Sequence, residues 1–517
     1  MIKRINLRIK PEEFADRTLF KSLLEKTVGR EINDFRIVRK SIDSRQRNIW
    51  VDTTVDIAYG DDSKIPEEAN SRILLNKVDD KSQPVVIVGA GPAGLFAALR
   101  CLELGMRPIV IERGKAVDER LRDVVELQKS GRVNPESNFC FGEGGAGTFS
   151  DGKLYTRSKK RGNVKEILQI FNQFGASPNI LFESHPHIGS EKLPAIIKAM
   201  REAIIENGGE VKFNTRFQSL IIESGDVKGI VTDTGERILG PVILATGHSA
   251  RDVYETLQNQ GVRLEAKGFA MGVRLEHPQQ VIDSIMYHNK AGRGEYLPPA
   301  EYSLACQVDG RGVYSFCMCP GGVIVPAMSD TGESVVNGMS VSSRSGKWAN
   351  SGMVVEIRPE DYPEYIDSFG ALGLMRFQKD TEKRFYQESN SINAPAQRMK
   401  DFTEGKRSAT LPRTSYVPGI HSADFSKLLP EGLATRLKEG LKIFGRRHKG
   451  FLTNDAILLG LESRTSSPVR IPRDKDTLSH PDLPGLYPVG EGAGYAGGIV
   501  SSAMDGRNAV DKIYQKL

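Results

Sequence analysis

Residues 84–112 constrain this chain more than any other stretch. An apolar run (85–88) leads into the turn Gly89-Ala90-Gly91-Pro92-Ala93-Gly94, then an amphipathic segment, a second apolar run and Glu112. In order, that is strand, glycine turn, helix, strand and carboxylate, the pattern of a Rossmann-like dinucleotide unit. Gly89 permits the tight turn, Gly91 lets the backbone approach a pyrophosphate, and Gly94 lets the helix pack closely on the strand. The start of the helix, with Pro92 and Ala93, offers free N–H groups and a partial positive charge to phosphates. Glu112 ends the second strand, where a carboxylate accepts hydrogen bonds from ribose hydroxyls, and Arg113 follows it. FAD and NAD share this fingerprint, so it leaves the dinucleotide open.

Composition narrows the setting. A chain of 517 residues with 39% hydrophobic content supports two to four domains with a sizeable core. The net charge of +6, from 71 basic and 65 acidic residues, suggests neither a polyanion-binding nor a membrane surface. Five cysteines in a chain of this length are no disulfide framework and suit a reducing cytoplasm. The N-terminus, MIKRINLRIKPEE, lacks the apolar core of a signal peptide, and no transmembrane span is expected.

Near the other end, residues 486–507 read LYPVGEGAGYAGGIVSSAMDGR: a short strand, Gly490-Glu491, a glycine-rich turn and a helix from Ile499. This stretch resembles the second FAD motif of the glutathione-reductase-like flavoproteins. The resemblance implies FAD, with an acid after Gly490 holding the ribityl chain and Gly497, Gly498 and Ile499 opening a helix toward the flavin ring. Glu491 stands where that family usually has Asp, one methylene shorter. The run PVILATG resembles the family's strand near adenosine, which brings Thr246 and Gly247 to the cofactor. Longer matches are FGEGGAGTFSDGKL (141–154), FAMGVRLEHPQ (269–279), FCMCPGG (316–322) and ESRTSSPVRIPRD (462–474). With VIVGAGPAG (86–94) and GEGAGYAGGI (490–499), they resemble the bacterial FAD-dependent dehydrogenases known as NAD(FAD)-utilising dehydrogenases. That resemblance spans nearly all of 84–517 and implies FAD and redox activity, without a substrate.

The expected fold is α/β: a Rossmann-like FAD-binding domain, an inserted mixed α+β substrate domain, and a small N-terminal α+β module. Strand alternation and one helix place the module at 1–59, and the polar stretch 60–83 reads as a linker. The FAD-binding domain covers 84–261 and resumes at 461–517. Residues 262–460 form the substrate or cap domain, with strands at 269–275, 312–316 and 321–326 and helices at 359–388 and 432–444.

Residues 142–152 hold five glycines, enough to lay backbone N–H groups against a planar ring. Gly144, Gly145, Ala146, Gly147 and Thr148 are therefore expected to touch FAD. Lys153 is a candidate for stabilising negative charge on a reduced flavin. Arg464, in an alternating stretch read as a strand, is a candidate for anion binding or an edge-strand surface residue. Cys317 and Cys319 read as packed or cofactor-facing thiols, since Cys-x-Cys strains a disulfide ring. The histidines show no metal spacing, and His248 reads as structural.

No second glycine fingerprint marks a separate nicotinamide domain, so NAD(P)H enters as a transient electron donor or the substrate reduces the flavin itself. The expected function is hydride transfer between flavin N5 and a small organic substrate. The alternatives are an FAD-dependent monooxygenase and, in another class, a flavin-containing RNA-binding or RNA-modifying protein guided by 1–59. The mild charge disfavours a nucleic-acid partner, and the oligomeric state is open.

Overall fold

A computed structural model describes residues 1–60, 64–66, 72–156 and 162–517. The stretch read as a linker therefore lies partly outside the described residues.

The apolar runs of the two glycine motifs meet in one five-stranded parallel sheet. Its order is Leu486–Pro488, Val242–Leu244, Pro84–Val88, Arg107–Ile111 and Glu210–Lys212. Val85, Val86, Ile87 and Val110 are fully buried, as a parallel sheet covered on both faces requires. The C-terminal strand lies two places from the first glycine strand, so chain ends far apart in sequence become neighbours. The helices that follow them, Pro92–Glu103 and Ile499–Tyr514, pack together. A Cβ at Gly506 would lie 2.0 Å from the Ala93 carbonyl oxygen, so only glycine permits that approach. Arg507 reaches across to Glu103 at the same contact.

A seven-stranded sheet makes the second layer. It runs Ala305–Val308, Arg311–Cys319, Trp348–Ile357, Phe269–Pro278, Ile457–Glu462, Ala394–Arg398 and Ile420–Ser422, antiparallel except for its last pair. Helix Glu431–Arg447 packs Leu437, Leu441 and Phe444 into the core beneath it. The helix expected over 359–388 is instead broken: Pro363–Phe369 and Gly373–Gln387 are separate helices. Proline at 363 and the left-handed Gly370 (φ +55°) interrupt it.

At the N-terminus, Ile2–Ile9, Trp50–Ala58 and Asp34–Asp43 form an antiparallel sheet under helix Arg17–Val28. Asp16 caps that helix by accepting from the amides of Thr18 and Leu19, and Gly29 ends it at φ +70°. Phe20, Leu24, Val55 and Ile57 give the module its own core. Lys40 bonds main chain to main chain with Phe182 and Ser184, which ties the module to the rest. No helix among the described residues is long and apolar enough to cross a membrane.

Candidate functional site

The two glycine turns open onto one cavity of about 350 Å³, within the size range of small-molecule sites. Gly89 takes φ +107°, and a Cβ there would lie 2.5 Å from the Ala245 carbonyl oxygen. Gly91 and Gly498 are the N-caps of the two helices, and neither helix has a side-chain cap. Their first-turn N–H groups have no partner within the helix. Gly91, Pro92 and Ala93 line the cavity from one helix, and Gly497, Gly498 and Ile499 from the other.

Glu112 holds the floor together. Its carboxylate accepts from the amides of Ala90 (2.9 Å), Gly114 (2.9 Å) and Gly142 (3.0 Å). It thereby joins the first glycine turn, its own loop and the 140–154 loop, while still lining the cavity with acceptor capacity to spare. Arg113 beside it pairs with Glu136 (2.8 Å) and Asp252 (2.9 Å) and lies over the Phe141 ring.

Glu491 is the second wall carboxylate, with His248 Nε2 3.6 Å away. Burial pushes Glu491 up to about 7; the negative charge at Cys317 adds to the rise and Lys267 opposes it. Burial, reinforced by Arg464 and Arg251, lowers His248 to about 4, so its ring is neutral at pH 7.

Gly145, Ala146, Gly147, Thr246, Gly247 and Gly490 also line the cavity, as do Lys153 and Arg464. Gly94, Gly144 and Thr148 do not. Gly94 lies behind the wall, where a Cβ would meet the Gly89 carbonyl oxygen at 1.9 Å. Gly144 turns its amide to the Ala90 carbonyl (2.8 Å), and the Thr148 hydroxyl bonds the carbonyls of Glu143 and Gly145. These two shape the loop rather than facing the opening. Lys153 donates its ammonium to the Met318 carbonyl, which anchors it at the rim.

Arg464 is not a surface residue. Residues 463–468 form no strand, and the Arg464 guanidinium is buried against Glu333 (2.7 Å) and Glu382 (3.1 Å). Arg251 shares both carboxylates, at 2.7 and 2.8 Å. Burial alone would raise Glu382, but Arg251 and Arg464 outweigh it and hold it at about 2. Two cations and two anions therefore balance at this wall, with Arg464 itself lining the cavity.

Two residues with no sequence signal organise the site. Arg120, fully buried, donates to five carbonyls of residues 138–145 and to the Thr148 hydroxyl. Arg344 donates to Asp151 (3.0 Å) and ties the glycine loop to the second layer. Neither stands in a recognisable motif: Arg120 lies on helix Val117–Ser130 and Arg344 in the turn before strand Trp348–Ile357.

The donor set fits a dinucleotide: two uncapped helix starts, a glycine turn no side chain could replace, and two carboxylates share one cavity. Among the described residues no cluster could hold a metal ion.

Comparison with known proteins defines the class. Residues 82–238 match a FAD-binding domain family, 268–465 the family described as FAD-dependent protein, C-terminal domain-like, and 1–58 a domain of unknown function. An uncharacterized protein of Clostridium beijerinckii is 39% identical over 96% of each chain. The chain belongs to the same family as that relative, one of FAD-dependent proteins, and its dinucleotide is FAD. Solved structures align more loosely. A tetracycline destructase is 12% identical over 84% of this chain and 82% of its own, with a TM-score of 0.33. A geranylgeranyl bacteriochlorophyll reductase-like protein from Thermoplasma acidophilum is 13% identical over 85% and 79%, at 0.35.

Proposed function

We propose that the protein is a FAD-dependent oxidoreductase that passes hydride between flavin N5 and a small organic substrate. The observation that carries this reading is the convergence of two uncapped helix N-termini on one cavity with Glu112 and Glu491 in its wall. In this reading the starts at Gly91 and Gly498 take up the pyrophosphate and the negative edge of the ring. Glu112 orients a ribose while bracing three loops, and Glu491 accepts from ribityl hydroxyls. Gly145, Ala146 and Gly147 press main chain against the ring face. FAD, when bound, supplies the two-electron chemistry.

Residues 84–261 and 461–517 act as the FAD-binding domain and 262–460 as the cap that admits substrate, with 1–59 an appended module. Phe316, Cys317 and Asn337 carry the cap to the cavity wall. Lys153 at the rim places a positive charge where reduced flavin gains a negative one.

The test is anaerobic mixing of the flavin-loaded protein with NADH or NADPH, then with a panel of metabolites. Bleaching by a donor and recovery with an organic acceptor support hydride transfer. Flavin that no donor or metabolite reduces overturns it. Recovery that requires oxygen and yields hydroxylated product makes the protein a monooxygenase instead.

A further inference from the structure

The seven-stranded sheet reaches the cavity through a defect. Strand Arg311–Cys319 pairs with Trp348–Ile357 as far as Phe316↔Gly352 and resumes at Cys319↔Asn350. Three steps on one strand face two on the other, which is a β-bulge. Cys317 sits in it at φ +45°, a conformation unfavourable for a side-chain-bearing residue that persists where the surroundings enforce it. Bulges of this kind re-aim side chains beside sites, and Cys317 lines the cavity.

Two thiols lie on the bulge. In a regular strand, Cα atoms two residues apart stand about 6.6 Å apart, inside the upper limit for a disulfide. The Cys319 thiol donates back toward the Cys317 carbonyl oxygen at 3.5 Å. Arg274 Nη2 donates to the same carbonyl at 2.7 Å and to Cys319 Sγ at 3.4 Å. Cys319 is fully buried and Cys317 is half-buried at the opening.

The charges around the pair separate the roles of the two sulfurs. A hydrogen bond from Cys319 lowers Cys317 to about 5 against burial, and Lys153 and Arg274 assist while Asp151 opposes. The same contact and burial raise Cys319, with Arg274 working against them. Glu462, three strands away in the sheet and paired with Arg274, and Glu491, on the second glycine turn, both feel the charge at Cys317, and each is itself pushed up to about 7, chiefly by burial. The half-buried Cys317 is thus biased toward the thiolate and the buried Cys319 toward the thiol, the division that thiol–disulfide chemistry uses.

We propose that Cys317 and Cys319 are a redox dithiol that exchanges two electrons with the flavin, giving the protein a thiol–disulfide half-reaction. This rests on the flavin reading of the cavity. In the oxidising direction the Cys317 thiolate and the Cys319 thiol close one S–S bond and release two electrons and one proton. Oxidised flavin, when bound, would supply the acceptor for both electrons and that proton, and the reverse transfer would reopen the bond.

The test uses the full-length flavin-loaded protein. Bound flavin is quantified first. Thiols are then alkylated under denaturing conditions and mapped by mass spectrometry, before and after anaerobic reduction of the flavin with measured dithionite. The expected result is a Cys317–Cys319 disulfide in the oxidised protein that disappears on reduction, with Cys101, Cys140 and Cys306 alkylated throughout. Wild type should also consume two electrons per flavin more than Cys317→Ser or Cys319→Ser, both of which retain flavin. Free thiols at both positions in the oxidised holoprotein, or a disulfide that survives full flavin reduction, overturn the proposal while the flavin reading stands. Absence of bound flavin overturns both. The wild-type map decides the matter even where a variant fails to fold.

Discussion

The guanidinium of Arg120 donates to the Glu143 carbonyl at 2.7 Å, and from that one side chain the glycine loop takes its shape. Its other bonds reach Asn138 (2.9 Å), Phe139 (3.0 Å) and Gly145 (2.9 Å). A loop with so many glycines has high entropy when free, and a buried planar donor offsets it by satisfying carbonyls that no secondary structure serves. Burial lowers Arg120 to about 10, which still leaves it charged at neutral pH. Arg120→Ala strands several buried acceptors, each worth about 1–3 kcal/mol. Loss of most bound flavin and a fall in stability on the order of 3 kcal/mol are expected, read by flavin content and denaturant unfolding. Unchanged flavin content would show that the loop holds its form without Arg120.

Arg464 gives a prediction of the opposite kind, strong in stability and weak in chemistry. Arg464→Ala leaves Glu333 and Glu382 buried with Arg251 as their shared cation. Breaking such a network costs about 3–5 kcal/mol. Arg464→Lys recovers little, because a single ammonium cannot serve both carboxylates as a fork does. Denaturant midpoints with flavin bound check both variants.

Gly94→Ala tests the packing behind the cavity. The added Cβ meets a main-chain oxygen at 1.9 Å, with no flexible side chain to yield. The turn must open, and FAD affinity should fall by at least about tenfold, or 1.4 kcal/mol. Equilibrium titration of apoprotein with FAD measures it.

Glu491 supplies a pH signature. Its carboxyl is raised from 4.5 to about 7 by burial, so at intermediate pH the folded state holds a proton that the unfolded state has released. Stability then falls as pH rises through that window. Glu491→Gln removes the effect. Relative to wild type its stability should not change below pH 4.5, should gain progressively from 4.5 to 7, and should level off above. Urea melts of both proteins across that range give the difference directly, and a flat difference would place Glu491 in a solvated setting.

The legible parts of the fold are those set by local pattern. The run 85–88, the turn at Gly89 and the helix after it appear where the apolar run and the glycine spacing put them, because strand, turn and helix each depend on near neighbours. The run 359–388 misled because helix periodicity outweighed Pro363 and Gly370, which break it. Arg120, Arg344 and the Cys317 bulge left no trace in the sequence. Their roles depend on which carbonyls, carboxylates and strand partners tertiary folding delivers, and those partners are remote along the chain. Arg464 stands in an alternating stretch, yet nothing in the spacing ties it to its partners Glu333 and Glu382 in the 262–460 segment. Buried ion networks of this kind are invisible until the elements are packed.

In the proposed reading, two distant glycine turns that line one cavity build one FAD site. The most direct measurement is the cofactor released on denaturing the purified full-length protein, compared with that from Gly91→Val, which fills the turn beside the Gly145 main chain. One FAD per wild-type chain and little or none in the variant are expected, with similar far-ultraviolet circular dichroism. Wild-type protein that carries no FAD and binds none on titration, or a variant that retains it fully, would contradict the account.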